Sequence, residues 1–177
     1  MSLSQQRGYT LLEVLCVLSI GLILWLIAMP SYREFIYQIR TQTVVTHFVQ
    51  LLNFARLSSI KLGKPVSICA TQDGKNCHAG WQGSFIVFID ETRSGKLAQP
   101  NDLLRSWTLN KGQGRISWQA SQHYLTMQPN GISPSNAGTF YYCPRDNNLE
   151  YARAIVINLA GRVKVLDNSS YNLLNCD

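Results

Sequence analysis

Between Val14 and Met29 the chain carries no charged residue, and Leu, Ile and Val dominate the run. Adding Tyr9 to Leu12 brings it to about the 20 residues that a helix needs to span a bilayer. No other feature limits the fold as much, because a helix this apolar must sit in lipid or among similar helices. One residue conflicts with a plain anchor. Glu13 stands near the front of the run, and a charge in hydrocarbon costs at least ~2.5 kcal/mol, so a partner is expected. No basic residue lies nearby within the segment. Cleavage between Gly8 and Tyr9 would create an α-amino group one helical turn before Glu13. That amine can pair with the carboxylate of the same chain or of a neighbour. The leader, MSLSQQRG, is too short and polar for a conventional secretory signal, and no A-x-A site follows the apolar run. The apolar segment is therefore expected to stay on the mature protein.

Beyond Pro30 the pattern becomes amphipathic. Val45, Phe48, Leu52, Ala55 and Leu62 step by threes and fours, which sets them on one helical face. Arg40, Gln42, Gln50, Asn53 and Lys61 fall opposite. Gly63 followed by Lys64-Pro65 is a stop signal. The periodicity predicts one helix from about Tyr9 to Leu62, roughly 80 Å long, with Pro30 bending or locally melting it. From Pro65 onward the runs VSICA, SFIVFID, LLRSWTL, RISWQA, YLTMQ, TFYYC and ARAIVINL are rich in β-branched and aromatic residues. Gly, Asn, Pro and Ser separate them. The last run continues through a turn at Asn158 to Gly161 into RVKVL, which reads as a hairpin. The expected fold class is α+β: a long N-terminal helix packed on a C-terminal antiparallel β head.

Five cysteines leave an odd one, and Cys16 lies inside the apolar run. Cys69, Cys77, Cys143 and Cys176 allow three pairings. The simplest joins Cys69 to Cys77 and Cys143 to Cys176. A membrane-inserting N-terminus favours an oxidising compartment for them. The formal net charge of +6 permits an acidic partner without requiring one.

Little in the chain suggests catalysis. His47, His78 and His123 are scattered, with no H-x-x-x-H and no paired C-x-x-C, so neither zinc nor any other cofactor is expected. There is no G-x-S-x-G and no P-loop. Asp90, Glu91, Ser94, Gly95, Asn101 and Asp102 make an oxygen-rich loop, but EF-hand spacing is absent and Arg93 and Lys96 would repel a cation, so it reads as a solvated turn. The aromatics Trp81, Trp107, Trp118, Tyr141, Tyr142, Tyr151 and Tyr171 suit core filling and sheet pairing better than nucleic-acid stacking.

The segment Arg7, Gly8, Tyr9, Thr10, Leu11, Leu12, Glu13 resembles the class III signal of type IV pilins and pseudopilins. That resemblance implies cleavage after Gly8 by a prepilin peptidase and N-methylation of Tyr9, a position where the family usually has Phe. It also gives Pro30 the place of the proline in the family's long helix. The blocks ARLSSIKLGKPVSICATQDGKNC, GWQGSFIVFID, DLLRSW and ARAIVINLAGRVKV are similar, in order and spacing, to the GspH/FimT branch of minor pilins and pseudopilins. The resemblance implies a pilin fold with a leader over 1–8, a membrane or filament-core helix over 9–30, an amphipathic half over 31–63 and a β head over 64–177. It further implies insertion in the bacterial inner membrane with the head in the periplasm, then a place at the pilus tip among other minor and major pilins. The H pseudopilin of type II secretion shares that fold.

FimT-like members of the branch resemble DNA receptors that use a GRxR motif. The matching stretch here is Gly161, Arg162, Val163, Lys164, with Lys in place of the last Arg, so the bidentate fork is lost there. Arg162 and Lys164 alternate along a strand and share a face, and Arg153 is expected to join them from the paired strand. Most of the positive excess lies on the helix, at Arg33, Arg40, Arg56, Lys61 and Lys64. Two or three bases predict weak, salt-sensitive DNA binding.

Overall fold

The computed structural model describes residues 8–78, 80–119, 122–133, 137–167 and 176. The chain divides into two compact units, with the boundary between Gln38 and Ile39. Helix α1 spans Leu11–Leu62. It is a single element through position 30, so the local melting expected at Pro30 does not occur. The helix ends where Gly63 takes a left-handed conformation, φ 62°, the usual way to close the last carbonyls before a strand.

Among the described residues the unit Ile39–Asp177 contains eight strands: β1 (Val66–Thr71), β2 (Ser84–Ile89), β3 (Leu103–Thr108), β4 (Arg115–Gln119), β5 (Tyr124–Met127), β6 (Gly138–Cys143), β7 (Arg153–Ile157) and β8 (Val163–Asp167). They form two four-stranded antiparallel sheets, ordered β3-β2-β1-β5 and β4-β6-β7-β8. The β-like runs in the sequence thus become strands, and α+β is the observed class.

Strand periodicity decides which side chains meet the helix. Val66, Ile68 and Ala70 of β1, Phe85 and Val87 of β2, and Leu125 and Met127 of β5 point to one shared core. Ile116, Phe140, Tyr142, Ile155 and Ile157 enter it from the second sheet. The helix contributes Val44, Val45, Phe48, Leu51, Leu52 and Ala55. The expected polar face, Arg40, Gln42, Gln50, Asn53 and Lys61, is exposed. Leu62 departs from its expected face and is 43% exposed, at the last residue of the helix. A register shift between Val87 and Phe88 lets Leu104 and Trp107 of β3 both pack on the core although their spacing is odd.

The outer face of each sheet carries a smaller apolar cluster and a disulfide. Cys69, Ile86 and Phe88 form one, with Cys69 bonded to Cys77. Tyr141, Cys143, Ala152 and Ala154 form the other, with Cys143 bonded to Cys176. Each cross-link therefore secures the sheet face that the helix does not cover. Cys16 is unbonded and exposed.

Tyr142 OH donates to the Gln113 carbonyl at 2.7 Å, and burial pushes the hydroxyl's pKa above its ordinary 10.0. The fold therefore favours the neutral form. Its contribution is fully present below the ordinary pKa and is lost as pH rises through the raised folded value. Chemical unfolding between about pH 9 and 11 should show wild type losing more stability with pH than Tyr142→Phe. Equal pH slopes for the two chains would refute this.

Candidate functional site

Two regions carry the residues that the sequence singles out. In the first, Gly8, Tyr9 and Thr10 precede α1, while Arg7 and the rest of the leader lie outside the described residues. Thr10 Oγ1 accepts the Glu13 backbone N–H at 3.3 Å, the bond of an N-cap to the third helical residue. The Thr10–Glu13 spacing is that of a capping box. Glu13 is also the acid of the first turn, where the helix dipole favours negative charge. The local sequence thus starts the helix and presents an exposed carboxylate at its head. Among the described residues no base lies in ion-pair range of it. From Leu11 to Met29 every side chain is exposed. The helix is long and apolar enough to cross a membrane, with a mean hydropathy of 2.6 over its best 18-residue window.

The second region is the hairpin that joins β7 to β8. Asn158 closes it, donating its N–H to the Arg162 carbonyl at 3.1 Å while its side chain accepts the Arg162 N–H at 2.9 Å. Arg162 stands just ahead of β8, which begins at Val163. Both Arg162 and Lys164 are exposed. Arg153 does not join them. It registers with Asp167 and Lys164 with Val156, so an odd spacing puts Arg153 on the opposite face of the sheet. Its guanidinium is also engaged, to Asp167 at 2.9 Å and to the carbonyls of Glu150 and Ala152.

A different base approaches the hairpin. Arg56 Nε donates to the Gly131 carbonyl at 2.9 Å. Gly161 has φ 68°, and a Cβ there would collide with the Gly131 oxygen and come within 3.1 Å of Arg56 Nε. The glycine of the GRxK stretch is therefore a packing residue, and it brings the Arg56 side chain to the base of the hairpin. Helical periodicity alone assigns Arg56 to the helix's cationic side; only the tertiary contact moves it. Gly161→Ala should cost about 1–3 kcal/mol in urea unfolding, from the left-handed backbone and the collision together. A change within about 0.5 kcal/mol, ordinary for a surface substitution, would contradict this packing role.

The oxygen-rich loop is self-satisfied. Buried Asp90 accepts from Ser67 Oγ at 2.9 Å and from the N–H groups of Ser94 at 3.0 Å and Gly95 at 2.9 Å. Glu91 pairs with Lys64 at 2.7 Å, which removes that base from the helix's free charge. In the loop closed by Cys69 and Cys77, hydrogen bonds from Asn76 and Lys75 hold the Asp73 carboxyl well below the usual carboxylate range. His47 stacks on Trp107, His78 accepts from the Gly80 N–H, and His123 is exposed elsewhere. Trp81, Phe85, Phe140 and Trp118 cluster around Phe48 and one another in the core. Tyr171 lies outside the described residues.

A capped, apolar N-terminal helix whose later turns pack on an antiparallel two-sheet head defines a pilin-type protein. The family model described as type II transport protein GspH matches residues 45–161. The prokaryotic N-terminal methylation motif matches residues 3–29. The chain belongs to the GspH family, and its N-terminus carries the motif of prepilin processing. No curated protein matches it. Among solved structures it is similar to the type IV minor pilin FimU of Pseudomonas aeruginosa in two crystal forms. Identity is 22% in each, TM-scores are 0.57 and 0.60, and the alignments cover 72% and 76% of this chain and 94% of FimU. It is also similar to the minor pseudopilin EpsH from the type 2 secretion system of Vibrio cholerae. There identity is 13% and the TM-score 0.52, covering 72% of this chain and 97% of EpsH. At these identities the likeness shows the fold. The apolar helix and the methylation motif fit membrane anchoring, and the similar solved structures are a minor pilin and a minor pseudopilin.

Proposed function

We propose that this chain is a minor pilin, made as a prepilin, cut after Gly8, methylated on Tyr9 and held in the inner membrane by α1 until it enters a type IV pilus. At the tip, with other minor pilins, it helps prime assembly. The observation that carries this reading is the helix start: Thr10 caps it, and Glu13 stands exposed in its first turn at the head of an apolar span. A cleaved, methylated Tyr9 amine is the cation that such a carboxylate needs. The β head supplies the lateral surface. Two measurements test the reading. Mass spectrometry of the native N-terminal peptide should find N-methylated Tyr9 as the first residue. Deletion of the gene should reduce surface pili. A first residue other than Tyr9 would refute the processing site. Intact piliation with lost type II secretion would make the chain a pseudopilin instead.

A second reading rests on the hairpin, where Arg162 and Lys164 are exposed with no carboxylate within ion-pair range among the described residues. That arrangement supports weak DNA binding by a tip subunit. Binding of a labelled duplex to the full chain in nonionic detergent should weaken with salt. Arg162→Ala/Lys164→Ala should reduce the slope of log K against log salt by about 2. An unchanged slope would remove the hairpin from the reading.

A further inference from the structure

The strongest unassigned feature of the head is a cleft of about 540 Å³ whose lining includes Lys111, Arg115, Arg145, Gln72, Gln82 and Ser84. It lies at the end of the second sheet away from the β7–β8 hairpin. The register shows this: Gly138 of β6 faces Ile157, next to the hairpin, whereas Arg115 of β4 faces Cys143 at the other end of β6. The chain leaving β6 passes through buried Pro144, so Arg145 is delivered beside Arg115.

The third base is placed by a separate device. Residues Lys111–Gln113 form a 3-10 turn closed by a capping box between Asn110 and Gln113. The Tyr142 hydroxyl fastens this turn by its bond to the Gln113 carbonyl. Lys111 is thereby held on the rim above Arg115, and it is exposed, as is Arg145. None of the three bases is in an ion pair among the described residues. Arg115 Nη2 is buried and, among the described residues, has no hydrogen-bond partner. A buried guanidinium N–H without an acceptor is costly, and native structures rarely tolerate one unless something else fills the role. The remaining lining named above is neutral amide and hydroxyl, which adds donors without adding negative charge.

We propose that this cleft is a phosphate-binding site. Three positive charges converge on it, and none of its lining residues is a carboxylate. A single carboxylate would bring one negative charge and two oxygens. A phosphate group brings more acceptor oxygens, and its geometry suits guanidinium forks with a lysine as the third contact. The phosphate can be carried by a nucleic-acid backbone or by a small soluble ligand, and the two sources give different results below. The site is separate from the helix start and from the hairpin, so it stands whether or not those readings hold.

The test uses the full chain in nonionic detergent with three probes: sodium pyrophosphate, a short labelled single-stranded oligodeoxynucleotide, and succinate. The variants are Lys111→Ala/Arg145→Ala, at two exposed positions that the fold does not need, and Arg162→Ala/Lys164→Ala as the control at the other end of the sheet. Pyrophosphate should bind saturably to wild type and to the hairpin variant. In Lys111→Ala/Arg145→Ala it should bind at least about tenfold more weakly. Succinate should not compete. If the backbone of a nucleic acid is the source, oligonucleotide binding falls in the same variant and its salt slope drops by about 1.4. If the source is a small phosphate, pyrophosphate binding falls and oligonucleotide binding does not. Three results would overturn the proposal: no saturable pyrophosphate binding to wild type, equal binding to the Lys111→Ala/Arg145→Ala variant, or succinate competing as well as pyrophosphate.

Discussion

Glu13→Ala should leave the chain processed to its mature mass and anchored in the membrane, yet largely missing from sheared pili. The physical reason is the cost of a lone charge in hydrocarbon. A carboxylate at that depth is penalised by at least ~2.5 kcal/mol, and its pairing with an amine offsets the penalty only inside an assembly. Replacing Glu13 by Ala makes membrane insertion easier but, on the proposed processing after Gly8, leaves the amine of Tyr9, on this chain or on a neighbour, without its counter-ion. Breaking such a buried pair from one side costs more than never having built it, about 3–5 kcal/mol. A penalty of that size lowers the equilibrium for docking by a factor of at least about a hundred, since 1.4 kcal/mol is tenfold. Glu13→Gln, which keeps the shape and one acceptor, should retain intermediate incorporation. The Thr10 cap is made by the backbone N–H of residue 13, so it survives either change. Quantitative immunoblotting of the pilus and membrane fractions measures the outcome. Normal incorporation of Glu13→Ala would end the pairing account.

Phe48→Ala should be the most destabilising single truncation in the head. The ring is fully buried and meets Phe140 at 4.9 Å, Phe85 at 5.4 Å, Trp107 at 6.4 Å and Trp81 at 6.5 Å between centroids. These partners come from both sheets, so the side chain is the point where helix and sheets share a core. Its removal forfeits the transfer energy of an aromatic ring and leaves a cavity that two disulfide-tied sheets cannot easily collapse. The expected loss is about 3–5 kcal/mol, a large part of the roughly 5–15 kcal/mol typical of a native domain. Phe48→Leu, which keeps most of the volume, should lose less. Urea unfolding of the full chain in detergent, followed by Trp fluorescence, measures both. A loss below about 1 kcal/mol for Phe48→Ala would show that the two sheets hold together without the helix.

Much of this protein was legible in its residues because local rules and the global fold agree. The apolar run and the capped helix start with Glu13 in its first turn depend on neighbours a few positions apart, and so do the helix stop at Gly63 and the alternation of the strands. The four head cysteines needed only a choice among three pairings. The misplaced residues are those whose role depends on distant partners. Leu62 keeps the helical period but is exposed at the last residue of the helix. Arg153 is near Lys164 in the hairpin, yet the register with Asp167 turns it to the other face. Arg56 reads as a helix-surface charge until Gly131 and Gly161 draw it to the hairpin. Lys111, Arg115 and Arg145 are unremarkable in the chain, being spread over three segments, and become one cluster only when β4 pairs with β6.

Local pattern alone was enough to read a membrane-length apolar helix near the N-terminus, with a lone carboxylate in its first turn, and an antiparallel β head after it. Those properties rest on hydrophobic periodicity and on groups within one or two helical turns of each other. Which bases gather and which are neutralised follows from long-range packing. Sheet order, strand register and the left-handed turn at Gly161 bring together residues that are far apart in the chain, and no local pattern encodes that distance.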